Sequence, residues 1–415
     1  MTDVAVKANT RAPLGRVDGE LRAGRNATIE AESGGRVVVT EGAYFEGPVT
    51  IDCDFECASV RVEGKGFGPG GDVVIRGDLV VHGSADMDAS VRVTGTAKAE
   101  AMDVGGHLRV GGITTGRLRV GGHLECKGKL EAGDVDSGGH FTVYDEIKVN
   151  SLRVGGHAEF KGGAIGGELK VRGHLKTEEP LTYGQIQVFG SIRLPAGSSG
   201  QHLSAIGKAE FEGDMRCKEI DVAGTVIVNG NCSSETVKAM GKLSVAGSLT
   251  ASQALDVLGV VEVKQNLECE SLSVGGKLVA DSVVAHARAD IGGHVMAAKG
   301  LKARTVNVGK GSRVNGPTIG DLVEVGKEIP PMTVEGQHPV SFTWPGRMTR
   351  VDDVYGKTVR MGPYSQANRV FAETVEIENG AVAAEITYTS GMRLPKNYHL
   401  QKPPRRADHL PEPPL

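Results

Sequence analysis

Aromatic residues are scarce in this chain, at only 4% of 415 residues, and the single tryptophan is Trp344. The apolar residues are mainly Val, Leu, Ile and Ala, which favours a narrow core with little room for large rings. No run of 18 or more apolar residues occurs, so no transmembrane helix is predicted. The formal net charge of −4 is too small to indicate strong attraction to nucleic acid or to an anionic membrane. We therefore expect neither as a partner.

Cysteine is also rare, and the chain lacks a secretion signal. The six cysteines are Cys53, Cys57, Cys126, Cys217, Cys232 and Cys269. None of their spacings matches a zinc site, and Cys53 and Cys57 share a strand phase with apolar Ile51, so we interpret them as small core residues. The first residues, MTDVAVKANTRAPLG, contain no apolar segment of the kind a signal peptide needs. We expect a reducing, cytoplasmic setting.

Glycine, in contrast, is abundant, with 60 residues, and it recurs at a fixed spacing. Steps of 17 residues, with one of 18 before Gly259, connect Gly122, Gly139, Gly156, Gly173, Gly190, Gly207, Gly224, Gly241, Gly259, Gly276 and Gly293. The surrounding phrase also recurs, as in LRVGGHL (118–124), LKVRGHL (169–175) and LSVGGKL (272–278). A fixed period of this size indicates one structural unit stacked many times.

Within each unit, apolar and polar residues alternate on both sides of the glycine, which is typical of strands with one buried face. Strands of about 5–6 residues are usual, so 17 residues accommodate three strands and three corners. The predicted fold is all-β: a single long parallel β-helix (a triangular β-solenoid of ~17-residue coils) with a short C-terminal β block. The glycines are interpreted as corner residues.

Composition changes divide the chain into five predicted segments. Residues 1–20 are polar and irregular and are expected to be a flexible N-terminal tail. The β-solenoid is expected over 21–326, followed by a proline-containing linker at 327–350. Strand phrases return in TVRMG (358–362) and TVEIE (374–378), which predicts a short β-solenoid block or cap over 351–391. Residues 392–415 are rich in proline and are expected to be a disordered tail.

One constellation of side chains could bind metal. A single repeat phase holds the metal candidates His107, His123, His140, His157 and His174. In-register stacking would place their imidazoles about 4.8 Å apart, where they could share a divalent ion or respond to pH. Later turns carry Lys208, Lys242 and Lys277 at this phase, which favours the alternative that it is a solvated polar position.

No catalytic or cofactor-binding residue is predicted, and we expect no enzyme activity. The Gly-Gly pairs are not followed by a helix or by Lys-Ser/Thr, so they are not interpreted as phosphate loops. Glu131, Asp134 and Asp136 could form the acid/base pair of a polysaccharide lyase, but no basic partner or cleft-forming insertion accompanies them. The basic KPPRR run (402–406) is compatible with docking on a protein partner or with a solvated tail.

The short coils, the V-x-V-x-G-x-L phrasing and the flanking tails resemble the bactofilins, polymer-forming cytoskeletal proteins. RVDGELRAGRNATI (16–29) is similar to that family's entry into its first coil, and VRMGPYSQANRVFAETVEIENGAV (359–382) is similar to its coil phrasing. The resemblance implies a triangular β-helix that assembles end to end without nucleotide. It also implies contact with a membrane through the N-terminus, but the N-terminal residues of this chain lack the apolar character that such contact needs.

The predicted function is therefore a polymer-forming cytoskeletal or scaffold protein that associates with itself through its β-helix ends. Each end of a β-helix presents unpaired backbone groups, which must be capped or paired. Phe371, Val359, Val375 and Ile377 are the predicted residues of an assembly interface. The alternatives are a left-handed β-helix acyltransferase, against which the 17-residue period argues, and an extracellular fibre or adhesin, against which the missing signal argues.

Overall fold

The computed structural model describes residues 2–63, 72–329, 347–395 and 399–415. These residues are all-β, with no helix among them, and they wind into about 22 turns of a parallel β-solenoid. The predicted long parallel β-helix is thus confirmed. The chain divides into two compact units, residues 1–200 and 201–415, which are described separately.

The first unit begins with short strands and continues with longer ones in which the sides of a turn run together. Its strands are β1 Val4–Val6, β2 Arg11–Leu14, β3 Arg16–Val17, β4 Leu21–Ala23, β5 Ala27–Ala31, β6 Arg36–Phe45, β7 Val49–Ile51, β8 Asp54–Val62, β9 Asp72–Ile75, β10 Leu79–Val81, β11 Ser84–Met87, β12 Ser90–Val104, β13 Leu108–Val120, β14 His123–Cys126, β15 Leu130–Ser137, β16 His140–Val154, β17 His157–Val171, β18 His174–Thr177, β19 Leu181–Val188 and β20 Ser191–Leu194.

The second unit has the same organisation, and its first strand begins just before the division. Its strands are β21 Ser199–Ala205, β22 Lys208–Phe211, β23 Met215–Val222, β24 Thr225–Val228, β25 Cys232–Ala239, β26 Lys242–Val245, β27 Leu249–Val257, β28 Val260–Val263, β29 Asn266–Val274, β30 Lys277–Ile291, β31 His294–Gly309, β32 Arg313–Asn315, β33 Thr318–Lys327, β34 Thr349–Met361, β35 Ser365–Ile377, β36 Val382–Arg393, β37 His399–Leu400 and β38 Arg405–Arg406.

Each turn pairs in parallel with the next, at the spacing that the glycines predict. His123 pairs with His140 in the first unit, and Thr225 pairs with Lys242 in the second, each 17 residues apart. A turn also has three sides, because its inward residues fall into three pairs separated by exposed corners. In the turn that starts at β22 these buried pairs are Ala209 and Phe211, Met215 and Cys217, and Ile220 and Val222.

The core is a stack of inward side chains, and it is wider than the sequence suggests. Val120, Val154 and Val171 are all buried, as their shared phase predicts. The expectation that large rings would overfill the core is wrong, because Phe141 and Phe160 are fully buried. Phe141 lies directly against Ala158 of the next turn, so a small neighbour provides the space that the ring needs.

Glycine is required in this column because successive turns approach each other closely, and not because the backbone adopts a conformation that only glycine favours. None of its members is among the glycines with positive φ. A Cβ built on Gly173 would lie well under 3.0 Å from the carbonyl oxygen of Gly156, and the same holds for Gly190 above Gly173 and for Gly293 above Gly276. Any side chain at these positions would push adjacent turns apart and break the hydrogen bonds between them.

The predicted flexible tail over residues 1–20 is corrected by the structure. Val4 pairs with Leu21, Arg11 with Thr28 and Arg16 with Val38, so these residues form a first turn on the solenoid. The buried side chains of Val6 and Val17 continue the inward columns, and this burial holds the segment in place. The turn carries no Gly-Gly phrase, which is why the sequence pattern did not show it.

The C-terminal block continues the solenoid of the second unit. Val323 of β33 pairs with Val359 of β34, so the chain re-enters the ladder after residues 328–348. Most of the predicted linker, residues 330–346, lies outside the described residues. The predicted disordered tail over 392–415 is also corrected, because β37 and β38 both pair with β36. These pairs supply hydrogen-bond partners to the edge of the last turn.

The inward phase leads to a first prediction. Val171 is 0% exposed, whereas its neighbour Arg172 points outward. Val171→Asp would bury an unpaired charge and should lower the free energy of unfolding by about 3 kcal/mol or more. Arg172→Asp, the matched control, should change it by less than about 0.5 kcal/mol. Urea unfolding of the two variants measures the difference, and equal midpoints would contradict the assignment of inward and outward faces.

The glycine column leads to a second prediction. Gly173→Ala should destabilise the protein by about 1–3 kcal/mol, because the new methyl group meets backbone that has no room to move. Gly105→Ala is the matched control, since a Cβ there would lie 3.6 Å from its nearest neighbour, an ordinary contact. Thermal unfolding followed by circular dichroism measures both. Similar losses for the two variants would show that the effect comes from glycine replacement in general.

Candidate functional site

The five candidate histidines lie in one column on the outside of the first unit. Their positions follow from the ladder, which pairs His123 with His140, His140 with His157 and His157 with His174. Consecutive ring centroids, starting from His107, are 4.5, 4.6, 5.9 and 5.1 Å apart. The column therefore forms as the repeat phase predicts.

Two of the stacked histidines, His123 and His174, have a lowered pKa. Partial burial, followed by the neighbouring His107 and His140, lowers the pKa of His123. Burial and then His157 and Arg193 lower the pKa of His174, whose Nδ1 lies 2.6 Å from the Ser191 hydroxyl. Because His123 lies between two rings at centroid distances of 4.5 and 4.6 Å, a proton on either neighbour raises the cost of protonating it.

The ring planes bear on the metal hypothesis. His107 and His123 are inclined by only 13°, and His123 and His140 by 5°, so these rings lie face to face. Parallel rings direct their nitrogen lone pairs sideways, whereas a metal ion requires ligand atoms that converge on one point. Over the described part of the chain, no group of three or more His, Cys, Asp or Glu is arranged to hold a metal ion.

Three of the four predicted interface residues lie in the core. Val359 and Val375 are 0% exposed and Ile377 is 5% exposed, so none of them can contact another molecule while the turn is intact. Strand alternation explains this, because they occupy the inward phase of β34 and β35. Phe371 is half-buried on the outer face, where its ring stacks on Tyr355 at 5.0 Å. It also lies one turn inside the last turn, since β35 pairs on both sides.

The structure shows an outer groove in the second unit that the sequence reasoning missed. Successive turns align Val284, Lys302, Ile319, Tyr355 and Phe371 in one outward column. A groove of about 550 Å³ runs along this column, and Leu410, Pro411, Glu412 and Pro413 form part of its lining. Apolar residues at outward positions are the sequence signal for this groove, but the strand phrases around them resemble those of ordinary coils.

The two ends of the ladder differ. The first turn, β1 to β3, pairs on one side with β4 to β6, and no strand among the described residues pairs with its other edge. The last turn, β36, has its outer edge partly covered by β37 and β38. An ion pair between Lys402 and Glu385 and a hydrogen bond from Arg406 Nε to the Thr389 carbonyl hold this cover in place.

Comparison with protein-family models, with curated proteins and with solved structures finds no match. The resemblance to the bactofilins therefore stays a prediction from the sequence phrases. No helix long and apolar enough to cross a membrane is found among the described residues.

The histidine column leads to a prediction about pH. Since the pKa values of His123 and His174 are lower in the folded state, unfolding takes up protons when the pH is below the ordinary histidine value of about 6.5. Their contribution to stability is present above that pH and is lost as the pH falls toward their folded values. We expect the unfolding midpoint of the wild type to decrease between about pH 7.5 and 5.5 more than that of His123→Gln/His174→Gln.

The comparison between the two proteins is the measurement, because every other histidine, including those beside carboxylates, is present in both. His82, for example, is 2.9 Å from Glu56. Urea midpoints at several pH values, in the same buffer series, give the difference. A wild type and a double variant with parallel pH profiles would contradict the prediction.

Proposed function

We propose that the chain is a structural scaffold protein that assembles with copies of itself, without nucleotide, through the backbone edge of its first turn. The observation that carries the proposal is the one-sided pairing of β1 and β2. A strand edge with unpaired N–H and C=O groups is a template for another strand. The described turns already pair in parallel with one another, so a further strand added to this edge would extend the same ladder.

The direction of the backbone groups identifies the residues whose N–H and C=O would pair with an added strand. The Val4 N–H donates to the Glu20 carbonyl at 2.9 Å, and the Val6 carbonyl accepts from the Gly24 N–H at 3.0 Å. Alternate residues of a strand direct their backbone groups to opposite sides, so the N–H and C=O of Ala5 point to the open edge. In β2 the corresponding outward positions are Arg11 and Pro13, and Pro13, which has no N–H, partly protects the edge.

Two further observations support this function. The repeated turn provides a long surface of identical spacing, which suits a scaffold. The six cysteines form no disulfide bond, and burial raises the pKa of Cys57, Cys232 and Cys269 to about 12, which makes these thiols unreactive. The buried thiols support the proposal of a reducing cytoplasm, and the bactofilin-like phrases support a cytoskeletal setting.

Assembly is tested at Ala5. Negative-stain microscopy of the wild type in plain buffer should show rods or filaments whose length is unaffected by ATP or GTP. Ala5→Pro removes the outward N–H at an exposed position whose side chain makes no core contact, so it should shorten or abolish the assemblies while the β-sheet circular dichroism is retained. Ala5→Ser, which keeps the N–H, is the control.

Two results would contradict the proposal. One is a wild type that stays monomeric in sedimentation velocity across salt and protein concentration. The other is an Ala5→Pro variant that assembles like Ala5→Ser, which would place the contact elsewhere on the chain.

A further inference from the structure

We infer that the outer groove of the second unit is a peptide-binding site for an extended, proline-rich segment that has leucines five positions apart. In an assembly, the segment that binds there is residues 407–415 of a second copy of this chain. This surface is distinct from the first-turn edge, so the inference stands or fails independently of the proposed function. Its evidence is the segment Leu410-Pro411-Glu412-Pro413-Pro414-Leu415, whose first four residues form one wall of the groove in their own chain.

The path of this segment is defined at both ends. Arg405 and Arg406 pair with Thr387 and Tyr388 of the last turn, and Thr387 is the neighbour of Phe371 in the outward column. At the other end, Leu415 Cδ1 lies 3.2 Å from the position that a Cβ on Gly300 would occupy. The segment therefore crosses from the last turn to β31, over turns that are about 4.8 Å apart.

The column and the segment both contribute apolar side chains to the lining of the groove. Ile319 is at an outward phase, between Lys302 and Tyr355, and yet it is only 7% exposed. Leu410 and Leu415 are half-buried, whereas the three prolines between them are exposed. Two leucines thus anchor the segment, and the prolines keep it extended at a low entropic cost of ordering.

Charge adds to the fit. The groove carries Lys302, Arg304 and Lys357, and of its lining side chains only Asp321 and Glu412 are acidic. Asp321 is paired with Lys357 at 2.9 Å, and Glu412 belongs to the docked segment. An acidic residue between the two leucines is therefore the complement of this surface, and it favours segments of the Leu-Pro-Glu-Pro-Pro-Leu kind.

A second copy is the partner because each copy carries both the groove and the segment. An exchanged segment would remake every contact that it makes within its own chain, so exchange requires no new surface. Within one chain the short tether gives the segment a high effective concentration, which favours the closed form when the protein is dilute. High local concentration in an assembly favours exchange between copies.

The test uses two complementary full-length variants, both carrying Ala5→Pro to suppress association through the first turn. Leu410→Asp/Leu415→Asp disables the segment and leaves its groove free. Tyr355→Asp/Phe371→Asp disables the groove and leaves its segment free. Sedimentation velocity should show a 1:1 heterodimer in the mixture and monomers in each variant alone. Replacing the groove-disabled variant by Tyr144→Asp, an exposed aromatic in the first unit, should remove the heterodimer, because that chain's own groove retains its segment.

A binding measurement keeps the test valid if one variant folds poorly. A fluorescein-labelled peptide of residues 405–415 should bind the segment-disabled variant about tenfold more tightly than it binds the wild type, whose own segment competes. It should not bind the groove-disabled variant, and a peptide with both leucines replaced by Asp should bind neither. Absence of peptide binding to the segment-disabled variant would overturn the site. Peptide binding without a heterodimer would overturn the second copy as its partner.

Discussion

The structure depends on one constraint: each turn must stack on the last at the constant distance set by backbone hydrogen bonds between parallel strands. A fixed separation of about 4.8 Å leaves no space for a side chain where the turns approach most closely. At Gly156, Gly173 and Gly190 this requirement excludes even a methyl group. Elsewhere the same constraint produces columns of inward residues, in which each side chain has the same kinds of neighbour above and below.

The columns of equivalent residues also explain which parts of the structure could be predicted from the sequence. The glycine phrase marks turns from Gly122 to Gly293, and there the fold, the inward valines and the histidine column follow directly from the period. The first turn and the 399–415 segment carry no such phrase. Their strands are two to four residues long and are held by pairing with a neighbouring turn, which no local pattern records. Tertiary pairing, rather than local preference, orders both segments.

Three of the four predicted interface residues are buried for a related reason. Val359, Val375 and Ile377 were chosen because they are apolar and near the end of the chain, but in a solenoid an apolar residue at the inward phase is core wherever it lies. The residues that indicate a surface site are those that are apolar although their position in the strand faces outward. Ile319 and Phe371 are apolar at an outward phase, and both line the groove that residues 410–413 also line. Comparing the inward or outward position of each residue with its polarity identifies this groove from the sequence, although it does not identify the segment that lines it.

The regularity of the ladder also limits where chemistry can differ from one turn to the next. A column of identical groups, such as the histidines, shares one environment, and its members oppose one another's charge instead of forming a distinct site. A site with its own identity requires a break in the pattern, and two such breaks are the basis of the proposed sites. One is the edge of the first turn, where the ladder ends with Ala5 directed outward. The other is the outward column from Val284 to Phe371, where aliphatic and aromatic side chains replace most of the polar ones. Because the turns between these breaks satisfy their own backbone groups, specific association should be confined to them.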